Sequence, residues 1–460
     1  MSTSPLSFPP EFLFGVATAA YQVEGHIEND WSEWERARKT PHVAGAGVDH
    51  WNRWAEDYRL AKQIGAQAFR MSLEWARIEP RRGEFDDSAL SGYRQRLVAM
   101  REAGLQPVVT LHHFTHPTWF HRQTPWHAPE SVAAFRRYAR ACAEVLHGLD
   151  ARVLTFNEPM VLLLGGYVQA VMPPGIADPR LAMTALGNIG RAHVAAREEL
   201  LTHLGRIPVG TSQNMLAFAA DRRWNPVDQL LVGLADRAYN HAFLEAMVTG
   251  ELRLFMPGLF STRQRIDGGR DSLDFVGVNY YTRAHLRFLP RRPWVQFRFT
   301  DPLQRGLTDL GWEDYPEGFA RTLLSARRYG LPIWVTENGI DDRDGQRRSG
   351  FLARHWAALL EARAAGADVR GYLYWSLLDN FEWLEGWGPR FGLYHVDFAT
   401  LERRATPACE YFRRTTETRQ LQPPGTEQPE PRVRSSAARL QPQSPGESQG
   451  DAGRAARGAA

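Results

Sequence analysis

Two carboxyl groups stand at matched places in this chain. Glu158 closes the run ARVLTFNEP and Glu337 falls in PIWVTENG, each beside an Asn but in opposite order. A single Glu at the end of an apolar run is usually an exposed carboxylate or a helix cap. Two of them facing each other across a cleft have a specific chemistry open to them. One protonates a leaving oxygen while the other attacks an acetal carbon or activates water, which is what cleavage of a glycosidic bond needs. The aromatic content fits such a substrate. The C–H faces of pyranose rings stack on indole and phenol, and sugar hydroxyls bond to Asn, Gln, His and Glu. The chain carries 15 Trp, and Trp375, Trp383 and Trp387 crowd into one strand end and loop.

Residues so far apart in sequence meet only if the fold brings strand ends together. Runs rich in β-branched and aromatic residues predict strands at 12–19, 66–75, 106–114, 151–159, 207–215, 274–281, 332–339 and 369–379. Amphipathic stretches predict helices at 51–64, 90–103, 131–147, 181–204, 227–249, 317–329 and 351–365, with a last one from about 406. Near-continuous apolar strands alternating with helices fit a closed (β/α)8 TIM barrel, a single α/β domain over 1–420, better than an open doubly wound sheet. Glu158 then ends strand four and Glu337 strand seven. Polar and aromatic residues collect at the same ends: Gln22, Glu24, Glu74, Trp75, His112, His113, Asn157, Asn214, Asn279, Tyr281 and Trp375. In a barrel these ends share one face, where they are expected to converge on a pocket.

Composition excludes other classes. The 460 residues are 43% hydrophobic and 23% charged, with a formal charge of +3 and the basic residues dispersed, so nothing is built for nucleic acid. No apolar run reaches membrane-spanning length and MSTSPLSFPPEF does not read as a signal peptide, so the expected location is cytoplasmic. Two cysteines, Cys142 and Cys409, are too few for a disulfide framework or structural zinc site, and Cys142, mid-helix, is expected in packing. The histidines of LHHFTHP raise the question of a metal. However, His112 and His113 are consecutive on a strand and point to opposite sides, and no HExxH follows. No phosphate-binding glycine loop occurs either, so neither metal nor cofactor is expected. From 421 to 460 the chain turns to Pro, Gln, Ser, Gly, Ala and Arg with no aromatic residue, the composition of a disordered tail.

In order along the chain, FLFGVATAAYQVEG, FRMSLEWARIEP, LHHFTHPTWF, TFNEP, GVNYYT, GWEDYPEGF, VTENG and SLLDNFEW with RFGLYHVDF resemble glycoside hydrolase family 1, the β-glucosidase and β-galactosidase family. The resemblance runs from about residue 8 to 413. It implies a retaining exo-β-glycosidase acting by double displacement, with Glu158 as general acid/base and Glu337 as nucleophile. Family positions that hydrogen-bond the nucleophile fall on Arg70 and Tyr281, the contact to the sugar 2-hydroxyl falls on Asn157, and Asn279 is expected among the substrate-binding residues. The glycone-binding set falls on Gln22, His113, Glu382 and Trp383, with Trp375 as stacking floor and Phe391 as wall. Trp312 matches an aglycone-side residue. Members that accept 6-phosphorylated sugars lack the acidic residue at Glu382, which implies an unphosphorylated glycone. The chain departs from the common pattern at Phe114, Glu385 and Trp387, and the last two are expected to narrow or acidify the entrance.

The expected partner is a small β-glycoside or oligosaccharide: a β-glucoside first, with some β-galactosidase or β-fucosidase activity. Two rivals share the barrel. A transglycosidase would pass the same covalent intermediate to a sugar instead of water, and a non-catalytic carbohydrate-binding barrel would lack the carboxyl pair.

Overall fold

The computed structural model describes residues 6–38, 42–256, 260–291, 295–421 and 423. Eight parallel strands form a closed barrel: β1 (Leu13–Ala17), β2 (Ala68–Ser72), β3 (Gln106–His112), β4 (Arg152–Asn157), β5 (Val209–Asn214), β6 (Phe275–Asn279), β7 (Ile333–Asn338) and β8 (Val369–Trp375). Each pairs with its neighbour in chain order. Closure comes from β8 lying along β1, with Leu13 opposite Gly371 and Ala17 opposite Trp375. All eight expected strands are present, each shorter than its predicted run.

Most strand residues are buried on both faces, which is why the runs read as continuously apolar. Inside the barrel Ala17, Ala68, Val108, Leu154, Phe275, Trp334 and Leu373 pack as one cluster. Small residues on one strand accommodate large ones on the next: a Cβ on Gly371 would stand 2.3 Å from the Trp334 ring. The outer layer contains the expected helices. The largest are Glu130–Leu146, Pro179–Leu204 and Arg348–Ala364. The longest of them has a chemically marked start: Asp178 accepts from the N–H groups of Arg180 and Leu181 at 2.8 and 3.2 Å just before Pro179. The predicted helix 227–249 is divided into Pro226–Ala235 and Ala242–Thr249 by a π-helical segment, Asp236–His241. Cys142 and Cys409 are free thiols buried in packing.

Three further features depart from the sequence reading. The predicted strand 66–75 stops at Ser72, and Glu74 instead caps a short helix, Trp75–Ile78, by accepting from the Ala76 N–H at 3.3 Å. A hairpin pairs Glu251–Met256 with Phe260–Arg265. A small sheet joins Ala217–Ala220, Arg283–Phe288 and Val295–Arg298, in the loops after β5 and β6. These strands are interrupted by charged or small residues, so they do not stand out as apolar runs. Of the expected tail, only Leu421 and Pro423 fall among the described residues. No described helix is long and apolar enough to cross a membrane.

Candidate active site

At the carboxyl ends of the strands, Glu337 on β7 is held from two sides. Arg70 Nη1 donates to its Oε1 at 2.5 Å and Tyr281 OH to its Oε2 at 2.7 Å. Arg70, wholly buried on β2, has its remaining donors fixed by Thr110 Oγ1 at 3.0 Å, Thr336 O at 3.1 Å and Asn157 Oδ1 at 2.7 Å. Glu337 is the only carboxylate its guanidinium touches among the described residues. A rigid fork with its other donors on neutral oxygens delivers its charge to that one group. Burial, followed by the charge of Glu337, pushes the Tyr281 phenol well up, so it remains a donor.

Glu158 sits in a different environment. It follows β4 in a left-handed conformation, φ 48° and ψ 58°, and Pro159 then opens the short helix Pro159–Leu163. In a regular strand Asn157 and Glu158 would face opposite ways. The left-handed turn brings both to the pocket, where Asn279 Nδ2 touches Glu158 Oε1 at 2.6 Å and Asn157 Oδ1 at 3.1 Å. Asn214 Nδ2 also donates to Glu158 Oε1, at 3.2 Å. No cation pairs with Glu158 among the described residues. Burial first, then the nearby charge of Glu337, raises its pKa from 4.5 to about 8, against the pull of the two amides.

Supporting residues set these amides. Ser212 Oγ and Thr336 Oγ1 donate to Asn279 Oδ1 at 2.7 and 2.6 Å, which aims Nδ2 at Glu158. Tyr239 OH, from the π-helical segment, donates to Asn214 Oδ1 at 3.0 Å and does the same for Asn214. None of Thr110, Ser212, Thr336 or Tyr239 was marked from sequence. The first three lie one or two turns of the pleat below strand ends, a position that could have flagged them; Tyr239, inside a helix, carried no signal. Asn338 is turned away from the pocket, donating to Tyr280 O at 2.7 Å and accepting from Tyr372 OH at 2.8 Å, so it ties strand ends together.

The expected sugar-binding residues line the same mouth. The His113 ring lies parallel to Trp375 and Trp383, centroids 6.1 and 6.0 Å away. Asn157 Oδ1 is taken by Arg70 and Asn279, which turns Nδ2 toward His113 Nε2 at 3.3 Å. Burial and the Arg70 charge push His113 well down, leaving it neutral. Gln22 Nε2 donates to Asn380 Oδ1, Phe381 O and Glu382 Oε2 at 3.0, 2.8 and 3.3 Å. Gln22 Oε1 and His113 Nδ1 are buried with no hydrogen-bond partner among the described residues, one a spare acceptor and the other a spare donor. Tyr281, Trp312 and Phe391 form an aromatic group on the Glu337 side. Glu382 is raised to about 8 by burial and by the charges of Glu337, Asp341 and Glu158.

Not every strand-end residue converges. Glu24 accepts from Tyr93 and Arg77. Glu74 accepts from Thr115 Oγ1 at 2.8 Å. Trp75 stacks on Tyr138 with centroids 4.9 Å apart. His112 packs on Trp126 and Phe156, opposite to His113 as the strand pleat requires. These serve the outer layer. Trp387 is anchored by packing on Phe398 and Phe381 and by its Nε1 donating to Val43 O at 2.9 Å, while Glu385 is exposed. Phe114, in a left-handed conformation with φ 70°, sets its edge against Trp383 at 5.2 Å.

A closed β/α barrel with two differently held carboxyls at its strand ends is an arrangement suited to cleavage of a glycosidic bond. The family model described as Glycosyl hydrolase family 1 matches residues 4–421. The chain is 33% identical to a β-glucosidase of an Agrobacterium strain, over 89% of this chain and 95% of that protein. It is 30% identical to a β-galactosidase of Sulfolobus acidocaldarius, over 89% and 95% respectively. A solved β-glycosidase from Pyrococcus horikoshii superposes with a TM-score of 0.85 at 35% identity, covering 91% of this chain and 97% of that one. The chain belongs to glycosyl hydrolase family 1.

Proposed function

We propose that the protein hydrolyses terminal β-D-glycosides with retention, with Glu337 as nucleophile and Glu158 as acid/base. The observation that supports this division is the contrast between the two carboxyls: Glu337 ion-paired with Arg70, Glu158 raised to about 8 without a cation. In the first step Glu337 forms a bond to the anomeric carbon as the bond to the leaving oxygen breaks, and the Glu158 proton passes to that oxygen. The resulting ester no longer carries the Glu337 charge. That charge is the second cause of the raised Glu158 pKa, so esterification favours ionised Glu158, ready to take a proton from water. Water then attacks the anomeric carbon, the ester bond breaks, and both carboxyls return to their starting states.

Asn157 offers Nδ2 to the 2-hydroxyl, His113 and Gln22 offer their spare donor and acceptor, and Trp375 and Trp383 offer ring faces. Glu382, raised to about 8, can donate as well as accept. Glu337, Asp341 and Glu158 around it disfavour a further anion, which supports an unphosphorylated glycone. We place Trp312 and Phe391 at the aglycone side and pocket wall. Glucosides are the expected first substrates, with galactosides and fucosides following. A panel of aryl β-glycosides of glucose, galactose, fucose, mannose, xylose and 6-phosphoglucose tests the specificity. Turnover of the phosphorylated sugar at the glucoside rate would overturn the Glu382 argument, and an α-anomeric first product by NMR would overturn retention. Glycosyl transfer to an added sugar acceptor uses the same intermediate, and product ratios at high acceptor concentration measure its share.

A further inference from the structure

We propose that Asp30, His116 and His121 form a binding site for one zinc-like divalent ion, outside the carboxyl pair. One ligand atom from each of the three lies within 4.8 Å of the other two. Asp30 begins the helix Asp30–Arg38, His116 lies in the loop after β3, and His121 is on the helix Thr118–Gln123. The first two are locked by backbone bonds: His116 N–H donates to Asp30 Oδ1 at 2.9 Å and Asp30 N–H to His116 O at 3.1 Å.

The side chains do not complete one another. Asp30 Oδ2 is fully buried and lacks a hydrogen-bond partner among the described residues. His116 Nδ1 lies 3.3 Å from it but is also 3.2 Å from Phe114 O, so the ring nitrogen faces two oxygens at once. His121 Nδ1 is likewise buried and unpartnered. An unpaired carboxylate oxygen in the interior is costly, and an ion would satisfy it. Two imidazoles and one carboxylate select a borderline transition ion over calcium or magnesium, which prefer all-oxygen shells. Ligands on a tetrahedral zinc ion stand roughly 3.4 Å apart, close to the 3.3 Å between Asp30 Oδ2 and His116 Nδ1. The wider spread of the set requires His121, which is half-buried, to swing inward by about 1 Å.

The role is structural. Trp31, beside Asp30, packs on Trp383 with centroids 4.7 Å apart, and Phe114, two residues before His116, packs on it at 5.2 Å. An ion here would staple the two loops that support this indole. It uses a different histidine of LHHFTHP from the pair weighed in the sequence.

Chelator-treated full-length protein titrated with zinc chloride in a calorimeter tests this, with cobalt(II) absorption reporting coordination. The expected result is one ion per chain, the intense visible bands of low-coordinate cobalt, and a thermal midpoint raised by several degrees in excess zinc. His121→Ala and Asp30→Asn should each weaken binding at least about 10-fold. His203→Ala, which removes an exposed histidine paired with Glu199, should leave binding intact. Substoichiometric zinc, weak octahedral-type cobalt bands, or unchanged binding in both His121→Ala and Asp30→Asn would overturn the site.

Discussion

Gly339 lies directly against the carbonyl of Trp375: a Cβ at 339 would stand 1.7 Å from Trp375 O. The glycine of VTENG is therefore a contact between the strand that carries Glu337 and the strand that ends in the stacking indole. Gly339→Ala must push β7 and β8 apart at the pocket. A displacement of about 1 Å at reacting groups can cost about 100-fold in rate, so kcat/KM for an aryl β-glucoside should fall by about that factor, with a lower thermal midpoint. Gly233→Ala, in an exposed helix with open space around its Cβ, should leave activity unchanged.

Glu337→Gly should abolish hydrolysis, because Arg70 and Tyr281 would then face an empty place where the attacking carboxylate stood. Azide or formate fits that place and keeps a negative charge beside Arg70. Added azide should restore turnover of a dinitrophenyl β-glucoside and yield the α-glycosyl azide, since a single displacement inverts. Product NMR checks this. A β-azide, or full activity without azide, would remove Glu337 from the role.

The barrel was legible because its strands are buried on both faces and so leave unbroken apolar runs from β1 to β8. The candidate site was legible through the pairing of two Glu–Asn strand ends, Glu158 beside Asn157 and Glu337 beside Asn338, and through the resemblance that implied a role for each. What could not be read was direction. Glu74 and Trp75 follow the second strand as Glu158 follows the fourth, yet the chain turns into a helix after Leu73 and sends Trp75 outward, whereas the left-handed Glu158 keeps its side chain on the same side as that of Asn157, the last residue of its strand. That choice depends on one backbone angle, which strand periodicity does not encode. The Tyr239 contact was hidden for a related reason: it reaches the site from a π-helical turn inside a helix predicted as continuous.

Tyr239→Phe should act on Glu158 through Asn214. Without the phenol at 3.0 Å from Oδ1, the Asn214 amide is free to turn and its donor to Glu158 is weakened. Loss of one such hydrogen bond is worth about 1 kcal/mol, so kcat/KM should fall by about 5-fold. The loss should grow with the basicity of the leaving group, because only the acid is affected. The Asn214 bond lowers the Glu158 pKa, so the alkaline limb of the rate profile should move upward in this variant. A loss equal for all leaving groups with an unmoved limb would show a packing role alone.

The pH dependence separates the two carboxyls. Glu158 is raised from 4.5 to about 8, so the free enzyme holds its acid in the protonated form at neutral pH, and kcat/KM should decline as pH passes through about 8. Glu382 is raised to a similar value and would produce the same limb if it controlled the rate. Glu158→Ala distinguishes them: with a dinitrophenyl β-glucoside, which needs no acid to leave, the alkaline limb should vanish in this variant if it belongs to Glu158 and persist if it belongs to Glu382. With an alkyl glucoside the same variant should lose about 100-fold to 10,000-fold. Stability follows the same sign. A carboxyl whose pKa is higher folded than unfolded contributes fully below about 4.5, and that contribution is lost as pH rises through about 8. Glu158→Gln keeps the shape and the neutral state, so its thermal midpoint relative to wild type should rise between pH 5 and pH 8; a constant difference across that window would mean that folding does not raise the Glu158 pKa.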